Sequence, residues 1–284
     1  YFVDLGQALS VAAGYMLRRL KSNKVKLDIP WDSIDKYQIY DITHRSILDE
    51  AVAMRPGERP EISRLPLFAE MREEERARLF AASFLQVFPP ELTLFEAGQQ
   101  ADFLHVLVDG LVELKAANHG RETSLTLVEP VHSFILAAVV TDMPYLMTAR
   151  TLSASRILLV PAELVRGLIR QDKALMMAVI RELANGYREF VRALTDLKLR
   201  QSTERIGNHL LLQSRRRGGA DNFQLKGEKK MLASLLGMTP ENLSRGFGAL
   251  AAEGVIISGS QVSITDRARL EAFSHPDPFY DPYN

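Results

Sequence analysis

The sequence predicts an α+β chain in which a β-roll, or jelly roll, is followed by a long helix and then by a winged helix-turn-helix. Three observations lead to this prediction. Short apolar strands separated by turn residues fill the stretch from about residue 84 to residue 161. Apolar residues then recur at a spacing of about 3.5 over residues 176–197. Two short helices and a β-hairpin are indicated between residues 229 and 264.

Composition limits the classes of protein to which the chain can belong. The 284 residues are 46% apolar, which is enough for two domains with separate cores. No uninterrupted apolar run of about 18 residues occurs, so no transmembrane helix and no membrane partner are expected. Cys is absent, which excludes disulfides, Cys-ligated iron–sulfur clusters and Cys nucleophiles. We expect a cytoplasmic protein.

Residues 1–53 do not resemble the rest of the chain and are interpreted as an extension of unknown role. Segment 4–24 has the pattern of an amphipathic helix with a basic end, and packing onto the body or onto another copy is favoured over contact with a membrane surface. The chain begins at Tyr1, and Met54 is followed by a linker-like stretch. One hypothesis is that Met54 is the natural start.

Residues 54–170 are predicted to form the β-roll with flanking helices. Apolar segments such as 103–108 and 124–128 alternate with turns at Gly98, Asp109-Gly110 and His119-Gly120. Residues 157–160 are predicted to be the closing strand, and Pro161 opens the next helix.

A heptad seam follows within a helix predicted over residues 171–200. Its apolar positions are separated by steps of four and three residues, with polar side chains between them. A helix packed on its own domain needs only the looser 3.6-residue period, whereas three unbroken heptads favour the same helix of a second subunit. The predicted dimerisation residues are Met176, Ile180, Leu183, Tyr187, Phe190, Leu194 and Leu197.

Residues 201–275 are predicted to form a winged helix-turn-helix, and residues 276–284 a tail. A first helix over 229–236 is followed by a turn and by a second helix, which Thr239 can cap and Pro240 can open. Glu241, Ser244 and Arg245 then share one face near the N-terminus of that helix, and the opposite face is apolar. A hairpin over residues 255–264 supplies the wing.

The exposed face suits the major groove of double-stranded DNA. A Glu accepts from cytosine N4, an Arg fork donates to guanine O6 and N7, and a Ser serves a base or a phosphate. Arg205 and the cluster 215–217 are predicted to touch phosphates, and residues 201–275 carry ten Lys or Arg against seven acids. The predicted DNA-binding residues are Thr239, Glu241, Ser244, Arg245 and Arg205.

The order and lengths of these elements over residues 60–273 resemble the Crp/Fnr family of transcription regulators. Glu241, Ser244 and Arg245 match the Glu-x-x-Ser-Arg pattern of its Fnr-like branch, whereas Pro240 stands where the cyclic-AMP receptor branch has a base-contacting Arg. The resemblance implies that the β-roll is a cyclic-nucleotide-binding-like jelly roll that serves as the sensor, and that RNA polymerase is a partner. It also implies that a symmetric dimer reads an inverted repeat of TTGA half-sites about one helical turn apart. Stretches 101–106, 133–138 and 145–150 are most similar to FtrB-type activators, which implies activation.

The resemblance also bears on the ligand of the β-roll. Cyclic-nucleotide-binding members hold the phosphate with a Gly-Glu pair and an Arg, where this chain has Leu136, Ala137 and a residue within 145–147, with Arg150 out of register. An apolar lining leaves that anion uncompensated, so no tight cyclic-AMP binding is expected.

The apolar residues in this part of the β-roll could form a cavity that holds haem, another hydrophobic effector or nothing. For most of these residues, ordinary core packing is the favoured interpretation. His105, His132, Glu113 and Asp142 could supply ligands to ferrous iron, but they lack the spacing of a metal motif. The cavity could also be lined by Val139, Val140, Met143 and Leu146. The effector-binding candidates are Phe134, Leu136, Tyr145, Met147, His105 and His132.

Two other classes of function are alternatives to DNA binding. A sensor or regulatory subunit could use its winged helix to dock on another protein. An enzyme is not expected, because no nucleophile elbow, phosphate loop or His-x-x-x-His motif is present.

Overall fold

The structure is a computed structural model that describes residues 62–277 and residue 279. The predictions for residues 1–53 and Met54, and most of the tail 276–284, lie outside the described residues. The described chain divides into two compact units, one of residues 62–112 and 128–182 and one of residues 113–127 and 183–277. The domain boundaries inferred from the sequence stay predictions.

The β-roll consists of two four-stranded sheets, with the strand orders β1-β8-β3-β6 and β2-β7-β4-β5. This confirms the predicted fold class. The strands are β1 (Phe84–Phe88), β2 (Thr93–Phe95), β3 (Phe103–Asp109), β4 (Val112–Asn118), β5 (Arg121–Val128), β6 (His132–Phe134), β7 (Thr148–Thr151) and β8 (Ser155–Pro161).

Strands β3 and β8 lie at the centre of the first sheet, and their middle residues are buried on both faces. Residues 103–108 are all buried, and β3 pairs antiparallel with β8 on one side and with β6 on the other. Near-continuous apolar runs of this kind are typical of strands with no solvated face. The turn after β3 requires glycine, since Gly110 has φ +102° and a Cβ there would lie 2.7 Å from the carbonyl oxygen of Ala154.

Short helices flank the strands of the β-roll. They are α1 (Pro66–Ala69), α2 (Glu73–Ala81), α3 (Leu136–Thr141) and α4 (Ala162–Gln171).

Helix α5 (Lys173–Leu199) follows α4, and its 27 residues extend for about 40 Å. Asp172 begins it by accepting hydrogen bonds from the backbone N–H groups of Ala174 (2.9 Å) and Leu175 (3.0 Å). Burial raises the pKa of Asp172, but these bonds, a third from the N–H of Arg72 and the Arg72 charge together hold it below its ordinary value.

The winged helix-turn-helix lies in the second unit. Its elements are α6 (Ser202–Arg215), β9 (Asn222–Gln224), α7 (Lys229–Leu235), α8 (Pro240–Leu250), β10 (Val255–Ser258), β11 (Gln261–Ile264) and α9 (Arg267–Ser274). The hairpin β10–β11 is joined by β9 into a three-stranded sheet. One apolar core, which includes Ile206, Leu243, Leu250 and Val262, holds these elements together. The predicted hairpin wing is confirmed, and β9 is an addition to it.

Candidate nucleic-acid interface

Helix α8 begins as its sequence predicts. Thr239 is the N-cap residue, and its side chain accepts a hydrogen bond from the backbone N–H of Asn242 at 3.3 Å. Pro240 occupies the first helical position, where its missing N–H has no cost. Thr239 therefore acts first as a helix cap, and its role towards DNA stays a prediction.

The two faces of α8 differ in exposure. Leu243 and Leu250 are fully buried in the core of the helix-turn-helix, and Phe247 is partly buried against it, as the periodicity indicates. Glu241, Ser244 and Arg245 are exposed. The structure therefore presents all three predicted base-reading side chains on the solvent-facing side of one rigidly packed helix.

Glu241 is held in its ionised form. Its own backbone N–H, the side chain of Thr239 and the charge of Arg245 hold the pKa of Glu241 below its ordinary value. An ionised carboxylate is an acceptor only, so Glu241 presents acceptor oxygens for an amino group.

Ser244 donates its hydroxyl hydrogen within its own helix, to the carbonyl oxygen of Pro240 at 2.8 Å. In this conformation its oxygen is left to accept, which suits a base amino group. A phosphate offers only acceptors, so contact with a phosphate would require this internal bond to break.

Arg245 has a partner that sequence reasoning missed. Its Nη2 donates a hydrogen bond of 2.8 Å to Oδ1 of Asn242, one turn earlier on the same exposed face. The spacing of three residues was a signal that could have found it, because residues at i and i+3 are neighbours on a helix surface.

The guanidinium of Arg205 donates hydrogen bonds to main-chain carbonyl oxygens. Nε donates to the carbonyl of Leu236 at 2.9 Å, Nη1 to that of Arg200 at 2.8 Å, and Nη2 to that of Gly237 at 3.4 Å. These bonds join the turn of the helix-turn-helix to the residue that follows α5. A phosphate contact by Arg205 stays a prediction, and the structure gives this residue a second use inside its own unit.

Arg217, in the predicted phosphate-binding cluster, also has partners within its unit. Nη1 of Arg217 donates to the carbonyl of Gln213 at 2.8 Å, and its guanidinium carbon lies 5.3 Å from the centre of the Phe223 ring. These contacts hold Arg217 against the outside of the winged helix-turn-helix, residues 202–274, which forms the small domain of the chain.

A groove of about 680 Å³ runs between α8 and the wing. Ser244, Phe247 and Lys229 line one side of it, and Ile256 and Ser260 line the other. The ammonium nitrogen of Lys229 lies 5.7 Å from the centre of the Phe247 ring. The groove therefore places a cation and a hydroxyl beside the predicted base-reading face, and Lys and Ser side chains are among the groups that contact phosphate and sugar in protein–DNA interfaces.

The predicted seam on α5 is largely exposed. Leu175, Ala178 and Val179 are the buried residues of this helix. Along the seam the exposed fraction reaches 69% for Tyr187 and 64% for Phe190. Met176, Ile180, Leu194 and Leu197 are also exposed, and Leu183 is partly buried. The helix therefore carries an apolar stripe that its own chain does not cover.

Three of the predicted effector-binding residues lie together in the β-roll. His105, Phe134 and Tyr145 are buried, and the ring centres of His105 and Phe134 are 5.3 Å apart. Phe95, which was not among the residues predicted from the sequence, stacks on Tyr145 with 3.9 Å between ring centres. Tyr145 donates its hydroxyl hydrogen to the carbonyl of Phe103 at 3.2 Å. The aromatic side chains therefore form a packed cluster.

The other candidates of the β-roll lie in different surroundings. Leu136 is buried at the start of α3, and Met147 is partly buried. His132 is exposed, and its Nδ1 lies 3.7 Å from the carboxylate of Glu182. Met143 and Leu146 do not line an enclosed space, since they are 58% and 86% exposed. Within the described part of the chain, no group of three or more His, Asp or Glu residues could hold a metal ion.

Two parts of the chain match models of known protein families. Residues 85–172 match the cyclic nucleotide-binding domain, and residues 204–273 match the Crp-like helix-turn-helix domain. The chain belongs to the Crp/Fnr family. Within that family it is a DNA-binding transcription regulator, since its second domain is the family's DNA-binding domain.

Several known proteins are similar to this Crp/Fnr regulator over roughly two thirds of its length or more. The CRP-like cAMP-activated global transcriptional regulator of Mycobacterium tuberculosis is 26% identical over 189 residues, which is 64% of this chain and 84% of the relative. The cyclic AMP receptor protein of Thermus thermophilus is 26% identical over 208 residues, which is 72% of this chain and 95% of the relative. The structure of FixK2 from Bradyrhizobium japonicum has a TM-score of 0.62 at 19% identity, covers 69% of this chain and 98% of its own, and shows the same fold.

The narrower resemblance to FtrB-type activators stays a prediction. Both sequence relatives named above are regulators or receptors by name rather than enzymes. Among the helices that the structure describes, none is long and apolar enough to span a membrane.

Proposed function

We propose that this Crp/Fnr regulator works as a homodimer joined along α5. The support is the uncovered apolar stripe on α5, whose period matches a coiled coil. A monomer would leave this row of aromatic and aliphatic side chains in water, whereas a second copy related by a two-fold axis would cover it with an identical row.

The dimer would read an inverted repeat of TTGA half-sites. The observation that carries this proposal is the pair of exposed, oppositely charged side chains, Glu241 and Arg245, near the N-terminus of α8. The fork of Arg245 suits guanine and the carboxylate of Glu241 suits cytosine, so the single G·C pair of the half-site would be read from both strands. The family resemblance supplies the TTGA sequence.

A fluorescence-anisotropy titration tests the operator. One duplex carries two TTGA half-sites as an inverted repeat, with centres about 10 base pairs apart, and the control duplex has the same composition in scrambled order. Both are measured at a fixed salt concentration of about 0.15 M, because phosphate contacts depend on salt. We expect a clear preference for the repeat, and equal affinity for both duplexes would contradict the proposal.

Arg245→Ala tests which residue reads the base. We expect a loss of about 1–3 kcal/mol on the repeat and a smaller loss on a duplex in which the G·C pair is replaced. Equal losses on all duplexes would show that Arg245 contacts a phosphate instead.

The β-roll would respond to an effector other than cyclic AMP, although two relatives are named for that nucleotide. Arg150 and Arg166, which lie near that position, already have carboxylate partners. Arg150 is paired with Glu91 at 2.8 Å, and Arg166 is paired with Asp142 at 3.1 Å. Leu136 is buried where nucleotide-binding members have the Gly-Glu pair. Burying an anion among such groups without a cation of its own is unfavourable.

Isothermal titration calorimetry of the full chain with cyclic AMP tests this part of the proposal. We expect no saturable heat at nucleotide concentrations up to about 1 mM, which corresponds to less than roughly 4 kcal/mol of binding free energy. A saturable isotherm in the micromolar range would contradict it.

The proposed output is activation through RNA polymerase, as the resemblance to activators implies. In-vitro transcription from a promoter with the repeat placed upstream tests it, and a template with the scrambled repeat is the control. More transcript on addition of the protein, only from the first template, is the expected result. Less transcript from the first template would identify a repressor.

A further inference from the structure

The guanidinium of Arg245 is held by Asn242, which is not one of the predicted base-reading residues. Asn242 accepts from Nη2 of Arg245 at 2.8 Å, and the acceptor must be Oδ1 because a guanidinium can only donate. Asn242 is itself fixed at the start of α8, since its backbone N–H donates to the cap residue Thr239. The acceptor therefore sits on a backbone whose position is set by the helix cap.

The remaining donors of Arg245 stay available. A guanidinium carries five N–H donors in a planar fork, and the bond to Asn242 uses one of them. Guanine O6 and N7 need two donors from one edge of the fork. The pairing with Asn242 can therefore persist while Arg245 contacts a base.

Restricting Arg245 before it binds matters because its side chain is long. An exposed Arg samples many rotamers, and this freedom is lost when its fork docks on a base edge. Helix α8 supplies the rigid support for a fixed fork, because Gly246 packs directly against Ile206 in the core. A side chain already oriented on a rigid helix has less freedom to lose on binding.

We propose that Asn242 is a positioning residue that orients the guanidinium of Arg245 for the guanine of the half-site and so sets sequence specificity without touching a base. This inference rests on the operator sequence proposed above. Asn242 would then help the protein to distinguish one DNA sequence from another, whereas other residues would supply the affinity that does not depend on sequence.

A double-mutant cycle in DNA binding tests the inference. The full chain and the variants Asn242→Ala, Arg245→Ala and the double variant are titrated with the TTGA repeat and with a repeat in which each G·C pair is replaced by A·T. Ala has a higher helix propensity than Asn, so Asn242→Ala is expected to fold, and circular dichroism checks this.

We expect Asn242→Ala to weaken binding to the TTGA repeat by about two- to tenfold per half-site, the factor expected for ordering one long side chain. Binding to the replaced repeat should stay nearly unchanged. In the Arg245→Ala background, Asn242→Ala should have no further effect, because the residue on which it acts is gone. An equal loss in both backgrounds would show that Asn242 contacts DNA directly and would overturn the inference.

Asn242→Asp is the matched variant that keeps the acceptor. Its carboxylate can still hold the Arg245 fork, so the preference for the TTGA repeat over the replaced repeat should be retained. The added negative charge should weaken binding to both duplexes alike. Loss of the preference in Asn242→Asp as well as in Asn242→Ala would contradict positioning through this hydrogen bond.

A measurement without DNA separates this inference from the operator proposal. The ¹⁵N relaxation of Arg245 Nε in the free protein should report an ordered side chain, which becomes mobile on the ps–ns timescale in Asn242→Ala. Equal mobility in the two proteins would overturn the inference even if the TTGA repeat is bound. A rigid Arg245 in a protein with no preference for the TTGA repeat would instead overturn the operator proposal, and with it the assigned role of Asn242.

Discussion

Two glycines of α8 provide a matched pair of perturbations. A Cβ at Gly246 would meet Cδ1 of Ile206, roughly 1 Å or more inside the ~3.5 Å at which carbon atoms normally touch. A Cβ at Gly248, two residues later, would meet nothing within 4 Å. The variants Gly246→Ala and Gly248→Ala therefore make the same chemical change in the same helix, and only one of them intrudes on the core.

The expected effects have opposite signs. Replacing a helical Gly by Ala stabilises a helix by about 0.8–1.0 kcal/mol, and Gly248→Ala should gain about this amount. Gly246→Ala gains the same propensity but overpacks a core in which Ile206 is fully buried, which costs about 1–3 kcal/mol. Gly246→Ala should therefore lie about 1–3 kcal/mol below Gly248→Ala in the free energy of unfolding of the small domain.

Hydrogen exchange followed by mass spectrometry is the appropriate assay, because a chain with two compact units need not unfold in one step. The slowest amides of α6 and α8 report the opening of the small domain. Between the two variants, their exchange rates should differ by about 5- to 150-fold, with Gly246→Ala the faster. Slower exchange in both variants would refute the reasoning, because it would mean that Ile206 yields without cost and that α8 is not tightly seated on α6.

Three further predictions concern other parts of the chain. Arg205→Ala should destabilise the small domain by about 1–3 kcal/mol, because three carbonyl oxygens lose a charged donor, and hydrogen exchange at α7 measures this loss. Leu194→Glu should give a monomer by analytical ultracentrifugation, while Asn185→Glu, on the polar side of the same helix, should stay dimeric; a dimer in both would contradict the seam. Asp172→Asn should lower the thermal unfolding midpoint at neutral pH. Folding lowers the pKa of Asp172, so its charge stabilises the folded protein at any pH above the ordinary pKa of 3.8. The difference in unfolding midpoint between the two proteins should therefore vanish as the pH falls through the lowered pKa.

The helix-turn-helix and the seam could be predicted because each depends on local periodicity. Leu243 and Leu250 repeat on one side of α8, and the steps of four and three residues on α5 identify its apolar stripe. Such patterns report which side chains share a face before any long-range contact is known. The exposure of Tyr187 and Phe190 then agrees with the interpretation that this stripe does not serve the chain's own core.

The sensor residues were harder to predict because β-sheet neighbours are distant in sequence. Phe95 stacks on Tyr145 across 50 positions, and no local pattern links β2 to the loop before β7. Apolar character alone also placed Met143 and Leu146 with the core, whereas the turn between α3 and β7 carries both of them to the surface. Burial of an apolar residue in a loop depends on tertiary packing, which composition does not report.

Arg205 illustrates a different limit of sequence reasoning. A lone basic residue near a recognition helix suggests a phosphate contact, but its fork matches any set of acceptors within reach, including main-chain carbonyls. Here the turn between α7 and α8 and the residue that follows α5 direct three carbonyls at one guanidinium. Only the course of the backbone shows that these acceptors converge.

The same contacts describe how α5 is joined to the turn that precedes α8. Leu197, the last residue of the seam, fills the space where a side chain at Gly237 would begin, and Arg205 ties the carbonyl of Arg200 to those of Leu236 and Gly237. Gly237 has φ +62°, a conformation that glycine adopts without strain. The turn that precedes α8 is therefore held by the last turn of α5 rather than by a flexible linker. In the proposed dimer, a change in how the two copies of α5 pack would move this turn together with the predicted base-reading face of α8. An effector can use that connection only if it binds one packing of the α5 pair more tightly than the other.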